Sequence, residues 1–144
     1  MDQVVVIGDS HREHVRLAAS RRQYGSTGDY DDDNWLVGEV SLRVSGFRSR
    51  FDAHLRSDDF VALRDALNRV HEARESGAWE PLEPWVALEL GVKGDVMTVE
   101  GMATERIGYG NSLRFSFETS IASVGATIEQ IDALLAAFPV PPQA

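Results

Sequence analysis

The stretch Tyr30-Asp31-Asp32-Asp33-Asn34-Trp35-Leu36 is an acidic turn that runs directly into a strand. Apolar and polar residues alternate up to Val44, and the alternation resumes after Ser45-Gly46, a pair typical of a two-residue hairpin turn. A shift of one residue would place apolar side chains opposite polar ones, so the turn and the alternation support one register. The predicted pairs are Val44–Phe47, Val40–Phe51 and Leu36–Leu55 on the apolar face, and Arg43–Arg48, Glu39–Asp52 and Trp35–Arg56 on the polar face.

Other alternating segments predict further antiparallel strands. They are residues 4–7, 14–18, 85–92 and 113–118. The turn residues Gly8-Asp9-Ser10 predict an N-terminal hairpin, followed by a polar loop over residues 21–30. A turn near Lys93-Gly94 would set Met97 opposite Leu90 and Val99 opposite Leu88. Residues 79–84 contain two prolines and predict a connector between elements.

Two segments have the apolar period of an amphipathic helix. The first begins at Ser57-Asp58-Asp59, which supplies a capping hydroxyl and two carboxylates, and Gly77 is its predicted stop. The second begins at Thr127-Ile128-Glu129-Gln130, which fits a capping box, and ends before Pro139. Hairpins with one polar face predict an α+β fold, an antiparallel β-sheet built of hairpins with two amphipathic helices packed on its apolar face.

Length and composition indicate one globular domain over residues 1–144. The chain has no cysteine, which excludes disulfides and thiolate metal sites. No cationic stretch precedes an apolar one at the N-terminus, and no apolar run has membrane-spanning length, so we expect a cytoplasmic protein. The formal net charge is −9, which disfavours general nucleic-acid binding and favours a basic partner.

Residues 4–10, Val-Val-Val-Ile-Gly-Asp-Ser, resemble the nucleophile block of the GDSL (SGNH) hydrolases. In those enzymes the base of the serine lies in a downstream Asp-x-x-His. No histidine here has that spacing, and none follows His71. Because a serine without a base is a poor nucleophile, we predict that the protein is not an enzyme, and hydrolysis through Ser10 is a minor alternative.

The sequence predicts neither a metal site nor a cofactor. Asp29, Asp31 and Asp33 occupy the first, third and fifth positions of a calcium-loop pattern. The sixth position, which needs glycine, is Asn34, and the twelfth, which needs glutamate, is Val40. His11 and His14 have no second cluster to complete a ligand set, and Gly108-Tyr109-Gly110 lacks the third glycine of a dinucleotide loop.

Several segments in order resemble the WapI family of bacterial immunity proteins, which are encoded beside polymorphic toxins such as the tRNA-cleaving WapA. They are Asp32–Leu36, Ser57-Asp58, Leu82-Glu83-Pro84, Leu113–Glu118 and Phe138-Pro139-Val140. The resemblance covers residues 29–140, which leaves residues 1–28 as an N-terminal hairpin and loop. The family tends to place an Asp-Gln pair after the Phe-x-Phe-Glu strand, whereas this chain has Ser120-Ile121. If that pair contacts the toxin, the partner of this protein differs.

The resemblance implies a non-catalytic protein that neutralises a cognate toxin, with a nuclease as the expected target. Nucleases carry basic surfaces, to which acidic residues would bind quickly. The predicted contacts are the carboxylates Asp29, Asp31, Asp32 and Asp33, with Trp35 or Trp79 as an aromatic anchor. An equally weighted interpretation makes Asp32 and Asn34 structural, as residues that cap the turn. The alternative function is a homodimeric structural or regulatory module that associates through Arg43 and Arg48.

Overall fold

The computed structural model describes residues 2–142, in which eight strands form two antiparallel sheets. In chain order the elements are β1 (Gln3–Gly8), β2 (His14–Arg22), α1 (Tyr30–Asn34), β3 (Trp35–Val44), β4 (Phe47–Arg56), α2 (Ser57–Asn68), β5 (Gly77–Trp79), β6 (Val86–Lys93), β7 (Val96–Thr104), β8 (Ser112–Ser120) and α3 (Val124–Ala137). The first sheet has the order β1-β2-β3-β4 and the second has the order β5-β6-β7-β8. The α+β class and the hairpin connections are confirmed, and the strands are divided between two sheets.

The hairpin of β3 and β4 has the predicted register. All six predicted pairs are present, and Ser45-Gly46 is the turn, with Ser45 in the left-handed region at φ 52°. The apolar face of the hairpin contributes buried residues to the core, including Val44, but its partner Phe47 on the edge strand β4 is 64% exposed. The turn therefore sets the register, as expected for a two-residue loop.

The N-terminal hairpin is confirmed, and its second strand is longer than predicted. β2 runs to Arg22 and pairs with β3 as well as with β1, with an irregularity between Ala19 and Arg21. The predicted loop over residues 21–30 is shorter as a result. The predicted connector over residues 79–84 is wrong at its start, because residues 77–79 form β5, which pairs with β6.

The predicted register of β6 and β7 is wrong by two residues. Leu90 lies opposite Val99, and Val92 lies opposite Met97. The two turn residues are Gly94 and Asp95, and Gly94 has a φ of +61°, which glycine adopts without strain. A shift of two residues keeps every side chain on its own face, so the alternation alone could not exclude the incorrect pairing.

Helix α2 begins at the predicted position but is capped differently. Ser57 is its first helical residue, and the Asp59 carboxylate reaches back to accept a hydrogen bond from the Arg56 backbone N–H at 2.8 Å. Gly77 does not end this helix. The chain continues as a π-helical turn over Arg69–Ala73, which closes at Arg74 in the left-handed region.

The predicted capping box of α3 is wrong, because the helix begins at Val124 and Thr127 lies inside it. Thr127 Oγ1 donates to the Val6 carbonyl at 2.5 Å, and Gln130 Oε1 accepts from the Val6 N–H at 2.8 Å. Val6 belongs to β1, the edge strand of the first sheet. The two side chains therefore satisfy backbone groups that an open sheet edge would leave unpaired.

One continuous apolar core joins both sheets and the two longer helices. Among its fully buried residues are Ile7, Leu17 and Leu36 of the first sheet, Leu88, Leu90 and Met97 of the second sheet, and Phe60, Leu63, Ile131 and Leu134 of the helices. α3 lies against β1, and α2 lies against α3 and β5. In the described part of the chain, no helix is both long and apolar enough to cross a membrane.

Candidate partner-binding surface

The acidic turn is a short helix, α1, whose first turn carries its carboxylates. Asp29 is the N-cap, and its Oδ1 accepts a hydrogen bond from the Asp32 N–H at 3.0 Å. Carboxylates are favoured at this end of a helix because the unpaired backbone N–H groups point toward it. Asp29, Asp31 and Asp32 are exposed. These three side chains form a local negative surface, and the hydrogen bond of the Asp29 cap stabilises the helix that carries it.

Asp33 is different, because its carboxylate is turned inward. Oδ1 accepts hydrogen bonds from both the backbone N–H and the hydroxyl of Thr27, each at 2.8 Å, and Oδ2 accepts one from the Gly28 N–H at 3.0 Å. The side chain is buried, with 9% of the residue exposed. The hydrogen bonds from Thr27 and Gly28 hold the pKa of Asp33 below its ordinary value. Asp33 therefore orders the preceding loop.

Asn34 and Tyr30 attach α1 to the start of α2. Asn34 Nδ2 donates to the Tyr30 carbonyl at 2.9 Å, and its Oδ1 accepts from the Asp58 N–H at 3.4 Å. The Tyr30 hydroxyl donates to Asp58 Oδ2 at 2.5 Å. Asn34 is fully buried. Asn34 is therefore structural, although it joins α1 to α2 and does not cap the turn, for which Asp29 is the N-cap. The Asp32 carboxylate is exposed and makes no such contact with the described residues.

The C-terminal segment meets the same region. Arg22 donates to the backbone carbonyl of Asp33 and, through its other nitrogen, to the Pro139 carbonyl at 2.7 Å. Ser57 Oγ donates to the Phe138 carbonyl at 2.8 Å. Segments that are more than one hundred residues apart in sequence thus converge on the start of α2.

Trp79 also belongs to this framework. It is 3% exposed, and its Nε1 donates to the Asp59 carbonyl at 2.8 Å. The Asp59 carboxylate accepts the Leu82 N–H at 3.2 Å, and burial raises the pKa of Asp59 above its ordinary value. Trp79 is therefore not available to a partner. Its burial and that of Asp33 correct the prediction that both lie on the binding surface.

The predicted residues that remain at the surface form what we call the acidic segment: Asp29, Asp31, Asp32 and Trp35. Trp35 is half-buried at the end of α1, and it lies opposite Arg56 in the register of β3 and β4. The Arg56 side chain is in turn within ion-pair distance of Asp58, at 3.5 Å. Contact of the acidic segment with a partner remains a prediction.

A second acidic surface was missed in the sequence. Glu89 and Glu100 lie directly opposite each other on β6 and β7, on the outer face of the second sheet, and both are exposed. They line a groove of about 710 Å³ together with Met102, which is 38% exposed. The register error placed Glu89 opposite Thr98 and hid this pair. The Gly94-Asp95 turn was the signal that would have revealed it.

Ser10 lies exposed in the turn after β1. The depression beside it, about 850 Å³ in volume, is lined by both polar and apolar residues, and no histidine is among its described lining residues. His14, the histidine of this hairpin strand, has its Nδ1 2.9 Å from the Arg12 carbonyl oxygen. Across residues 2–142, no group of three or more potential metal-ligating side chains converges.

A family match spans nearly the whole chain and includes the signature segments up to Pro139. Residues 6–139 match the model of the immunity protein WapI-like family, and the protein belongs to that family. The match includes the N-terminal hairpin, which the sequence resemblance did not cover. At the position where this chain departs from the family pattern, Ser120 Oγ accepts from the Ala122 N–H, and Ile121 is buried in the core.

The comparison with solved structures gives two matches of low identity. The MRP1/MRP2 structure from Trypanosoma brucei has a TM-score of 0.48 and 10% sequence identity, over 96% of this chain and 86% of that chain. A CdiA-CT/CdiI toxin and immunity complex from Enterobacter cloacae has a TM-score of 0.42 and 13% identity, over 92% of this chain and 99% of that chain. No curated protein sequence matches the chain.

Proposed function

We propose that this protein is an immunity protein that binds a cognate toxin and blocks it without catalysing a reaction. The observation that carries the proposal is the family match over residues 6–139. Toxins of this kind act on molecules inside cells, and a nuclease is the target we favour. A tight complex that covers the toxin's active site is sufficient for protection, and it requires no reactive group in the inhibitor.

The acidic segment is the contact surface that we propose. Asp31 and Asp32 are exposed and accept no hydrogen bond from the described residues, so their carboxylates are free to meet basic side chains. Asn34 and Tyr30 anchor the backbone beneath them, which reduces the entropy lost on binding. A nuclease presents cations for its phosphate substrate, and an anionic inhibitor associates quickly with such a surface.

The shifted carboxylates support a role without catalysis. Perturbed pKa values are common in active sites, and among the described residues three carboxylates have shifted pKa values. The pKa of Asp33 is lowered by Thr27 and Gly28, that of Asp59 is raised by burial, and that of Glu105 is lowered by hydrogen bonds from Asn111. Each shift has a cause within the scaffold. No substrate is needed to explain any of these pKa shifts.

Co-expression with the toxin encoded beside the gene tests the proposal. We expect the wild-type protein to restore growth, and we expect D31N/D32N to lose protection. The matched control is D65N/E129Q, which removes the same charge from exposed positions on α2 and α3. Failure of the wild-type protein to protect would overturn the proposed function. Equal protection by D31N/D32N would overturn the role of the acidic segment alone.

The two alternative functions have direct tests. Ester turnover that disappears in Ser10→Ala would revive the hydrolase. The homodimer would bring together two copies of the surface that carries Arg43 and Arg48, where like charges repel. Sedimentation at high protein concentration checks this prediction, and we expect a monomer.

A further inference from the structure

A row of basic side chains crosses three strands at one end of the first sheet. His14 of β2 lies opposite Arg43 of β3, which lies opposite Arg48 of β4. Residues that are opposite in an antiparallel sheet have their side chains on the same face. We call His14, Arg43 and Arg48 the basic row. In a chain with a net charge of −9, this concentration of positive charge is local.

The basic row has no counter-ion within the described residues. Among residues 2–142, no carboxylate forms an ion pair with Arg43 or Arg48. The arginines of the neighbouring row, Arg16 and Arg50, do have a counter-ion. Both pair with Glu39, at 3.7 Å and 2.9 Å respectively. Glu13, at the same end of the sheet, instead accepts a hydrogen bond from the Ser45 N–H. Like charges that are directly opposite are destabilising, so this arrangement costs the fold stability.

The surface around the basic row has the shape and composition of a protein contact. His14, Arg43, Arg48 and Arg50 line an open depression of about 420 Å³. Phe47, at the tip of the hairpin, is 64% exposed but lies on the opposite face, with its partner Val44. Arginine is among the residue types enriched at the centre of protein interfaces. A partner that covers the depression would neutralise the arginines.

We propose that the basic row binds a short stretch of acidic residues of a partner protein. Arginine guanidinium groups bind carboxylates through paired hydrogen bonds, and two adjacent arginines can receive two carboxylates of an extended acidic segment. This surface is distinct from the acidic segment around α1, and the inference goes beyond the proposed function because it does not depend on the identity of the toxin.

The charge pattern favours an acidic protein segment over a nucleic acid. Glu39 and Asp52 are a pair on the same face, four residues along each strand from the basic row. Four residues of a strand span about 13 Å. A nucleic acid carries a continuous row of phosphates and would meet these carboxylates, as well as the negative field of the whole molecule. A short stretch of acidic residues in a partner protein would end before it reaches Glu39 and Asp52.

A titration of the isotopically labelled full chain with a short polyglutamate peptide tests the proposal by NMR at low salt. We expect amide shifts confined to residues 14 and 43–50. We expect R43Q/R48Q to weaken binding roughly five- to tenfold, as two exposed ion pairs would. The control R69Q/R114Q removes the same charge from exposed arginines elsewhere and should bind like the wild-type protein. F47S changes an exposed residue on the opposite face of the same hairpin, so it should also bind like the wild-type protein.

Three outcomes would overturn the proposal. The first is that the peptide produces no amide shifts at these residues. The second is that R69Q/R114Q weakens peptide binding as much as R43Q/R48Q does. The third is that a single-stranded RNA of equal charge binds this face more tightly than the peptide. The last outcome would make the face a nucleic-acid surface. The spectrum of each unliganded variant shows whether it is folded, and R48Q alone, at an exposed position, replaces the double variant if that protein is unfolded.

Discussion

Adjacent carboxylates in α1 have different roles, because their surroundings differ at the level of single atoms. Asp31 is exposed, whereas Asp33 accepts three hydrogen bonds from Thr27 and Gly28. The local sequence could not separate them, since both lie in one acidic run. The donors to Asp33 lie in the loop before α1, and the sequence gives that loop no regular pattern. The presence of structural carboxylates in this run was predictable, but which residue would be structural was not.

The first prediction concerns Asp33→Asn. An amide nitrogen cannot accept the hydrogen bond that one carboxylate oxygen receives, so the variant should be less stable at neutral pH. The pKa of Asp33 is lowered in the folded state. Its stabilisation is therefore present above the unfolded pKa and is lost as the pH falls through the folded pKa. Urea unfolding across an acid pH series should show the difference between wild type and variant shrinking toward low pH.

Other groups also contribute to the pH dependence of stability, but their contributions cancel when the wild type and the variant are compared. Burial raises the pKa of Asp59, so deprotonation of Asp59 costs stability as the pH rises, the opposite sign to Asp33. This contribution is common to both proteins. Stability curves that run parallel at all pH values would contradict the role assigned to the Asp33 carboxylate.

The second prediction separates the two tryptophans. Trp79→Phe removes the hydrogen bond to the Asp59 carbonyl and leaves a gap in the core, which should lower the free energy of unfolding by about 1–3 kcal/mol. Toxin binding by the folded variant should be unchanged. Trp35→Ala should weaken toxin binding instead. Urea unfolding and calorimetric titration measure the two effects, and weaker toxin binding by folded Trp79→Phe would show that this residue has a role beyond the core.

At the scale of elements, the sequence predicted the β3–β4 hairpin because an error of one residue has a large cost. It would expose Val40 and Leu36 and bury charged residues. The β6–β7 pairing failed because an error of two residues costs nothing on either face, and the turn then decides. For α3, Thr127 and Gln130 fit a cap locally. Their partner Val6 is more than one hundred residues away, which no local pattern reveals.

The third prediction tests the contact between α3 and β1. Thr127→Val with Gln130→Leu leaves the Val6 N–H and carbonyl without their partners at the sheet edge. Each lost buried hydrogen bond costs about 1–3 kcal/mol. Hydrogen exchange of the Val6 amide should become faster, while amides at the centre of β3 change only with global stability. Unchanged protection of Val6 would mean that other groups cover this edge.

The fourth prediction concerns Glu89 and Glu100, which lie directly opposite each other. Glu100→Gln removes the repulsion and should raise the free energy of unfolding by about 0.2–1 kcal/mol. Thermal unfolding at low salt measures the gain, and added salt should reduce it because the repulsion is screened. The control Glu129→Gln on α3 should show little change. A destabilised Glu100→Gln would indicate that the pair is compensated by a contact elsewhere.

At the scale of the whole molecule, three of the five signature segments meet at one junction: Asp32–Leu36, Ser57-Asp58 and Phe138-Pro139-Val140. Asp33, Asn34, Ser57 and Phe138 meet at the start of α2, where they bond to backbone or to each other's segments. The family pattern was therefore visible in the sequence for reasons of folding. Asp31 and Asp32, the exposed carboxylates that we propose as contacts, lie beside this junction. Family and fold were therefore predictable, whereas the burial of Asp33 and Trp79 was not.

The most direct test of the central claim is the association rate of this protein with the toxin encoded beside it, measured by stopped flow at increasing salt. Between about 0.01 M and 1 M salt the screening length falls from roughly 30 Å to 3 Å. Recognition through the exposed carboxylates Asp31 and Asp32 predicts that the rate falls by roughly tenfold or more over this range, and that D31N/D32N has a slower rate and a weaker salt dependence. A rate that is independent of salt, and equal in the two proteins, would contradict binding through an acidic surface.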